Sequence, residues 1–113
     1  MYERYVELLN ENHCKSADVA KTTGIHPSTF SDWKKGKSSP KYDKIQKIAE
    51  FFGVEPDWLS GKSEFKTKKE MVQHRFGKDA VRLLDYYTRL NDTGKKKALE
   101  TLEDMTDLPK YTE

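Results

Sequence analysis

Lysines are concentrated in one short stretch of this 113-residue chain, where six of them lie within positions 34–47. The acidic residues near them are Asp32 and Asp43, so one face would carry a local positive field although the net charge of the chain is only +2. Such a field suits the binding of a polyanion, and a solvated lysine-rich surface is the alternative interpretation. The six are Lys34, Lys35, Lys37, Lys41, Lys44 and Lys47.

Short polar side chains come just before these lysines, on a segment whose Pro27 and Gly36 indicate the start and end of a helix over 27–35. Phe30 and Trp33 would face inward. The outer side would present Ser28, Ser31, Asp32 and Lys35. Hydroxyl and carboxylate groups of this length reach the edges of bases only when the helix lies well inside the major groove of DNA.

Other kinds of site are not indicated by the sequence. There is no glycine-rich phosphate loop and no framework for a Ser-His-Asp set, so we expect no catalysis and no cofactor. The three histidines, His13, His26 and His74, are too dispersed for a metal site. Cys14 is the one cysteine, which excludes an intrachain disulfide, and we expect it to be a buried, inert thiol in a reducing, cytoplasmic environment. The longest apolar stretches, such as 48–54, are too short to span a membrane.

Helical periodicity predicts an all-α fold with five short helices in a first domain, 1–61. The predicted helices cover 2–12, 16–23, 27–35, 42–52 and a short segment that begins at Pro56. In the first helix the polar residues, Arg4 among them, are expected to face water. The predicted core residues are Tyr5, Leu8, Leu9, Val19, Ala20, Ile25, Phe30, Trp33, Ile45, Ile48, Ala49, Phe51, Phe52, Trp58 and Leu59.

The rest of the chain is predicted to form a basic linker over 62–78, in part helical, and a helical hairpin over 79–113 that is interrupted at 91–94. These two segments carry charges of +4 and −2, counted from the sequence. The hairpin either packs on the first domain or pairs with a second copy, and we favour pairing because two short helices alone bury little surface. The residues expected at such a dimer interface are Leu84, Tyr87, Leu90, Leu99, Leu102 and Met105.

Four segments resemble the lambda-repressor-like helix-turn-helix family, also called the xenobiotic-response-element family, of bacterial and phage regulators. They read A-D-V-A-K-T-T-G-I at 17–25, S-T-F-S-D-W-K-K-G-K-S-S-P at 28–40, I-Q-K-I-A-E-F-F-G-V at 45–54 and D-W-L-S-G at 57–61. The resemblance covers about half of the chain, and the tail is also similar to those of short phage or prophage repressors. It implies a five-helix DNA-binding domain whose third helix lies in the major groove.

The resemblance also implies roles for individual residues. The base-facing positions would be Pro27, Ser28 and Asp32, with Ser31 as a neighbour, and the phosphate-contacting residues would be Ser16, Lys35 and Lys37. We add His26, which precedes the third helix and suits a capping or phosphate-binding role, and Lys41. Pro27 can offer only apolar contact, and phosphates would repel the Asp32 carboxylate. We therefore expect few direct base contacts and more dependence on phosphates and DNA shape.

The expected function is that of a sequence-specific transcriptional regulator, with a repressor favoured over an activator because little chain remains to touch a polymerase. A homodimer on a palindromic operator is the expected complex with double-stranded DNA. An antirepressor protein, an inducing ligand or proteolysis would relieve repression. The alternative is an antitoxin or another protein-interaction module whose final helices bind a partner protein.

Overall fold

The computed structural model describes residues 1–113, which form helices and no strands. The chain divides into two compact units, residues 1–71 and residues 72–113, and the boundary falls within the sixth helix. None of the helices is long and apolar enough to cross a membrane. In chain order the helices are α1 (Tyr2–Glu11), α2 (Ser16–Thr23), α3 (Pro27–Lys34), α4 (Tyr42–Phe52), α5 (Pro56–Ser60), α6 (Lys68–Phe76), α7 (Lys78–Arg89), α8 (Asp92–Thr106) and α9 (Pro109–Thr112).

The core of the first unit is formed by the apolar faces of α1 to α5, as the periodicity of the sequence predicts. Tyr5 is fully buried at its centre, where its ring stacks on Phe30 and Trp33 at centroid distances of 5.4 and 5.1 Å. Helix α3 is therefore fixed to α1 by three aromatic rings, a large apolar contact for helices this short. The remaining buried residues are Leu8, Val19, Ala20, Ile25, Ile45, Ile48, Ala49, Trp58 and Leu59, while Leu9, Phe51 and Phe52 are partly buried.

Two glycines set the limits of the turn and of the helix that follows it. Gly24 ends α2 at a φ of 77°, a left-handed conformation that glycine adopts without steric cost. Gly36, at a φ of 74°, follows α3, and there the Lys37 N–H donates to the Asp32 carbonyl at 2.9 Å. The Gly36 N–H donates to the Trp33 carbonyl at 3.1 Å, which completes a Schellman motif. Helix α3 thus has a defined last turn.

The first unit extends past the predicted domain end at Gly61, because residues of the expected linker contact α1 and α5. Lys66 forms an ion pair of 2.7 Å with Glu11, and its carbonyl accepts a hydrogen bond of 2.9 Å from the Glu55 N–H. The expectation that Arg4 faces water is wrong. Its side chain is only 17% exposed, and its guanidinium donates to the backbone carbonyls of Trp58 and Ser63 and lies 5.0 Å from the centroid of the Trp58 ring.

The second unit contains most of α6 together with α7, α8 and α9, and no residue in it is buried. The predicted interruption at 91–94 is shorter than expected. Asn91 is the N-cap of α8, since its side-chain oxygen accepts a hydrogen bond of 2.8 Å from the Gly94 N–H. An N-cap asparagine of this kind starts a helix rather than prolonging a loop, and the first turn of α8 therefore begins at Asp92.

Candidate nucleic-acid interface

Helix α3 has an apolar face and a polar face, and the core determines which is which. Phe30 and Trp33 are buried against α1, so the opposite side of the helix must face outward. Ser28, Ser31 and Lys35 lie on that outer side, three and four residues apart, and all three are exposed. Pro27, the first residue of α3, is exposed beside them. The outer face of α3 is thus a narrow surface of short side chains with a lysine at its far end.

Asp32 differs from its neighbours because its side chain is only partly exposed. Its carbonyl is occupied by the Lys37 N–H in the motif that ends α3. The base-facing role of Asp32 stays a prediction.

His26 is the N-cap of α3, as expected from its position before Pro27. Its Nδ1 accepts a hydrogen bond of 3.1 Å from the backbone N–H of Ser28, which would otherwise lack a partner at the start of the helix. The same nitrogen lies 2.8 Å from the Ser28 hydroxyl oxygen. The capping role is confirmed, while contact between His26 and a phosphate stays a prediction.

Ser16, predicted to contact a phosphate, is the first residue of α2 and not its N-cap. The N-cap is Lys15, whose backbone N–H donates to the Asp18 carboxylate at 2.9 Å. The hydroxyl oxygens of Ser16 and Tyr5 lie 2.7 Å apart, within hydrogen-bond distance. Burial raises the pKa of Tyr5 to about 12, and the hydrogen bond with Ser16 opposes part of this shift. A core tyrosine needs a polar partner for its hydroxyl, and this requirement is the signal in the sequence that could have pointed to the pair.

A concave surface lies between α2 and α3, and it brings together three of the predicted site residues, Ser16, His26 and Pro27. Lys21, on α2, lines the same surface and was not among the predicted residues. The rest of the lining is mostly apolar. A phosphate at the rim of this surface would find hydroxyl, imidazole and ammonium groups, all of which can donate hydrogen bonds to it.

The predicted phosphate-contacting lysines, Lys35, Lys37 and Lys41, are exposed at the end of α3 and in the loop that leads to α4. Lys41 is the N-cap of α4. Another lysine that sequence reasoning did not select lies at the same helix end, because the Lys62 ammonium is 5.1 Å from the centroid of the Tyr42 ring. Tyr42 is held in turn by Asp57, whose carboxylate accepts a hydrogen bond of 3.0 Å from the tyrosine hydroxyl.

The residues predicted for a dimer interface lie on α7, α8 and the turn between them. Five of the six are exposed large apolar side chains. Tyr87 is partly buried, and the Lys95 ammonium is 5.4 Å from its ring centroid. The five exposed residues are Leu84, Leu90, Leu99, Leu102 and Met105, with exposed fractions between 39% and 55%.

Comparison with known proteins adds two findings. Residues 7–59 match the family model described as helix-turn-helix, a range that includes α2, α3 and the turn between them. The chain is also similar to an uncharacterized HTH-type transcriptional regulator of Haemophilus influenzae, with 31% identity over an alignment 99 positions long, which covers 76% of this chain. The chain spans only 41% of the length of that relative. No solved structure matches the chain.

Proposed function

Residues 7–59 belong to the lambda-repressor-like helix-turn-helix family, and from this premise we propose that the protein is a transcriptional regulator that binds specific DNA sequences. Helix α3 enters the major groove, and the lysines beyond it contact the phosphate backbone. A protein bound to an operator that overlaps a promoter excludes the polymerase sterically. Repression therefore requires no direct contact with the polymerase. Binding to DNA inside a bacterial cell requires that the protein is located in the cytoplasm.

The observation that carries this proposal is the division of α3 into a buried aromatic face and an exposed hydroxyl-bearing face. Phe30 and Trp33 fix the helix on the core, which leaves Ser28 and Ser31 at the surface. The major groove is about 12 Å wide and admits a helix, and short side chains bring its axis close to the bases. The exposed lysines supply the charge that draws the helix to the duplex.

The proposed complex is a homodimer on a palindromic operator, formed through the exposed apolar residues of α7 and α8. A hairpin that leaves Leu84 and Leu102 48% and 40% exposed gains stability when a second copy covers them. Two-fold symmetry would present two α3 helices to successive major grooves about 34 Å apart. Each subunit would then read one half of the operator.

Selection of binding sites from random duplex DNA, followed by salt titration of the best site, tests the proposal. We expect an enriched palindrome, and an affinity that falls linearly with salt on logarithmic axes because bound lysines release counterions from the DNA. A library from which no sequence is enriched would contradict sequence-specific binding. Enrichment of a single half-site, with one subunit bound, would contradict the dimer and leave DNA recognition intact.

A second candidate function rests on the same exposed apolar residues of α7 and α8. A patch of this kind also suits a helical or extended segment of another protein. That partner would be a toxin, if this protein is an antitoxin, or an antirepressor. Under this alternative the chain is monomeric in isolation and binds its partner through residues 79–113. Co-purification of a partner through this region, without binding of any selected DNA, would favour it.

A further inference from the structure

The start of α3 contains a pair of hydrogen bonds that fixes where the protons of two side chains lie. The backbone N–H of Ser28 donates to Nδ1 of His26 at 3.1 Å. A backbone N–H can only donate, so Nδ1 must be unprotonated and act as an acceptor. The Ser28 hydroxyl oxygen lies 2.8 Å from the same nitrogen, and its own proton must therefore point to that nitrogen. Turning the proton away would leave two lone pairs facing each other at 2.8 Å.

The hydroxyl of Ser28 has one proton, and His26 uses it. What Ser28 offers to a ligand at the exposed surface of α3 is therefore an oxygen with lone pairs only. A free serine could donate or accept and would not distinguish the two kinds of base edge. Held by His26, it can contact only a hydrogen-bond donor.

We propose that Ser28 is a specificity-determining residue that accepts a hydrogen bond from the exocyclic amino group of adenine or cytosine and rejects guanine and thymine. In the major groove adenine presents N6 and cytosine N4 as donors, whereas guanine and thymine present only acceptors and the thymine methyl group. A guanine or thymine opposite Ser28 would place two acceptors together. This inference rests on the proposed function, since it requires that Ser28 faces the bases.

His26 acts through Ser28 and is a positioning residue. The residues preferred at an N-cap are serine, threonine, aspartate and asparagine, which accept a backbone N–H in the first turn. The imidazole of His26 does the same and also fixes the neighbouring hydroxyl. Asparagine can cap the helix and also accept the hydroxyl proton, so it should replace His26 in both functions, whereas alanine offers neither acceptor.

The test begins with binding-site selection for the wild type and for Ser28→Ala. We expect one position per half-site at which the wild type requires adenine or cytosine and the variant accepts all four bases. That base is then replaced by an analogue without the amino group, either purine or 2-pyrimidinone. The wild type should lose about five-fold in affinity, the value of one hydrogen bond of roughly 1 kcal/mol, and the variant should lose nothing further.

Two variants of His26 test whether an acceptor at this position fixes the Ser28 proton. His26→Asn should keep the preference for adenine or cytosine, whereas His26→Ala should also accept guanine or thymine at that one position, with the other positions unchanged. Guanine or thymine in the selected wild-type site at the position that Ser28→Ala relaxes would overturn the inference. So would a site that Ser28→Ala leaves unchanged at every position, or full discrimination retained by His26→Ala. If the wild type enriches no sequence, the proposed function fails instead.

Discussion

The hydroxyl groups of Tyr5 and Ser16 lie 2.7 Å apart and join the centre of α1 to the first residue of α2. Tyr5 is fully buried and stacks on two aromatic rings of α3. One side chain thus contacts both helices of the helix-turn-helix. The orientation of α2 and α3 on the core depends on this residue, through packing on one side and a hydrogen bond on the other.

Tyr5→Phe should lower the free energy of unfolding by about 1 kcal/mol, because the ring remains packed while the partly buried Ser16 hydroxyl loses its partner. Urea titration measures the change. Tyr42→Phe is the matched control, since it removes the same atom from an exposed hydrogen bond with Asp57 and should cost less. Equal losses in the two variants would show that the Tyr5–Ser16 hydrogen bond contributes no more to the free energy of unfolding than an exposed one.

The alkaline stability of the protein should depend on Tyr5. Its pKa is raised to about 12 in the folded protein, chiefly by burial, whereas a tyrosine in an unfolded chain titrates near 10. Between pH values of about 10 and 12 the unfolded chain loses this proton and the folded chain keeps it. The free energy of unfolding, which Tyr5 leaves unchanged below about pH 10, should therefore fall through this range. The difference in unfolding free energy between wild type and Tyr5→Phe, followed across the range, isolates this residue. A difference that is constant with pH would contradict the prediction.

Lys35→Ala should weaken binding to every DNA sequence by a similar factor and reduce the slope of log affinity against log salt by about 1, as expected for one lost phosphate contact. We expect this because Lys35 is exposed at the end of α3, where its ammonium can contact a phosphate but is not placed to read a base. Filter binding or fluorescence anisotropy at several salt concentrations measures both quantities. Lys110→Ala removes the same charge from α9 and serves as the control. A changed base preference in Lys35→Ala would show that this lysine reads a base.

Leu84→Glu combined with Leu102→Glu should convert the proposed dimer to a monomer, because each subunit would bury two charges at the interface. Sedimentation equilibrium measures the mass, and we expect operator affinity to fall by about 100-fold or more as two linked contacts become one. The control, Thr88→Glu with Thr101→Glu, adds the same charges on the same helices at polar exposed positions. A wild type that is monomeric, or a double variant that remains dimeric, would refute the role of these leucines.

Much of the fold could be predicted because it depends on local rules. Apolar residues at helical spacing place Phe30 and Trp33 in the core, and Pro27 and Gly36 fix the ends of α3 through backbone restrictions that act within a few residues. The same pattern predicts that Ser28 and Ser31 face outward, as the structure shows. Periodicity therefore identified the exposed face of α3 before any tertiary contact was known.

The sequence by itself determined the five helices of the first unit, their apolar faces and the exposed face of α3, since each follows from residue type and short-range spacing. Only the tertiary structure decided which polar groups meet across the core. Arg4 contacts the carbonyls of Trp58 and Ser63, residues 54 and 59 positions away, and Tyr5 meets Ser16 in another helix. No local period encodes such contacts, because they depend on the angles at which separate helices pack. For the same reason, the sequence alone does not predict that the hydroxyl and the backbone N–H of Ser28 both lie within hydrogen-bond distance of the His26 Nδ1.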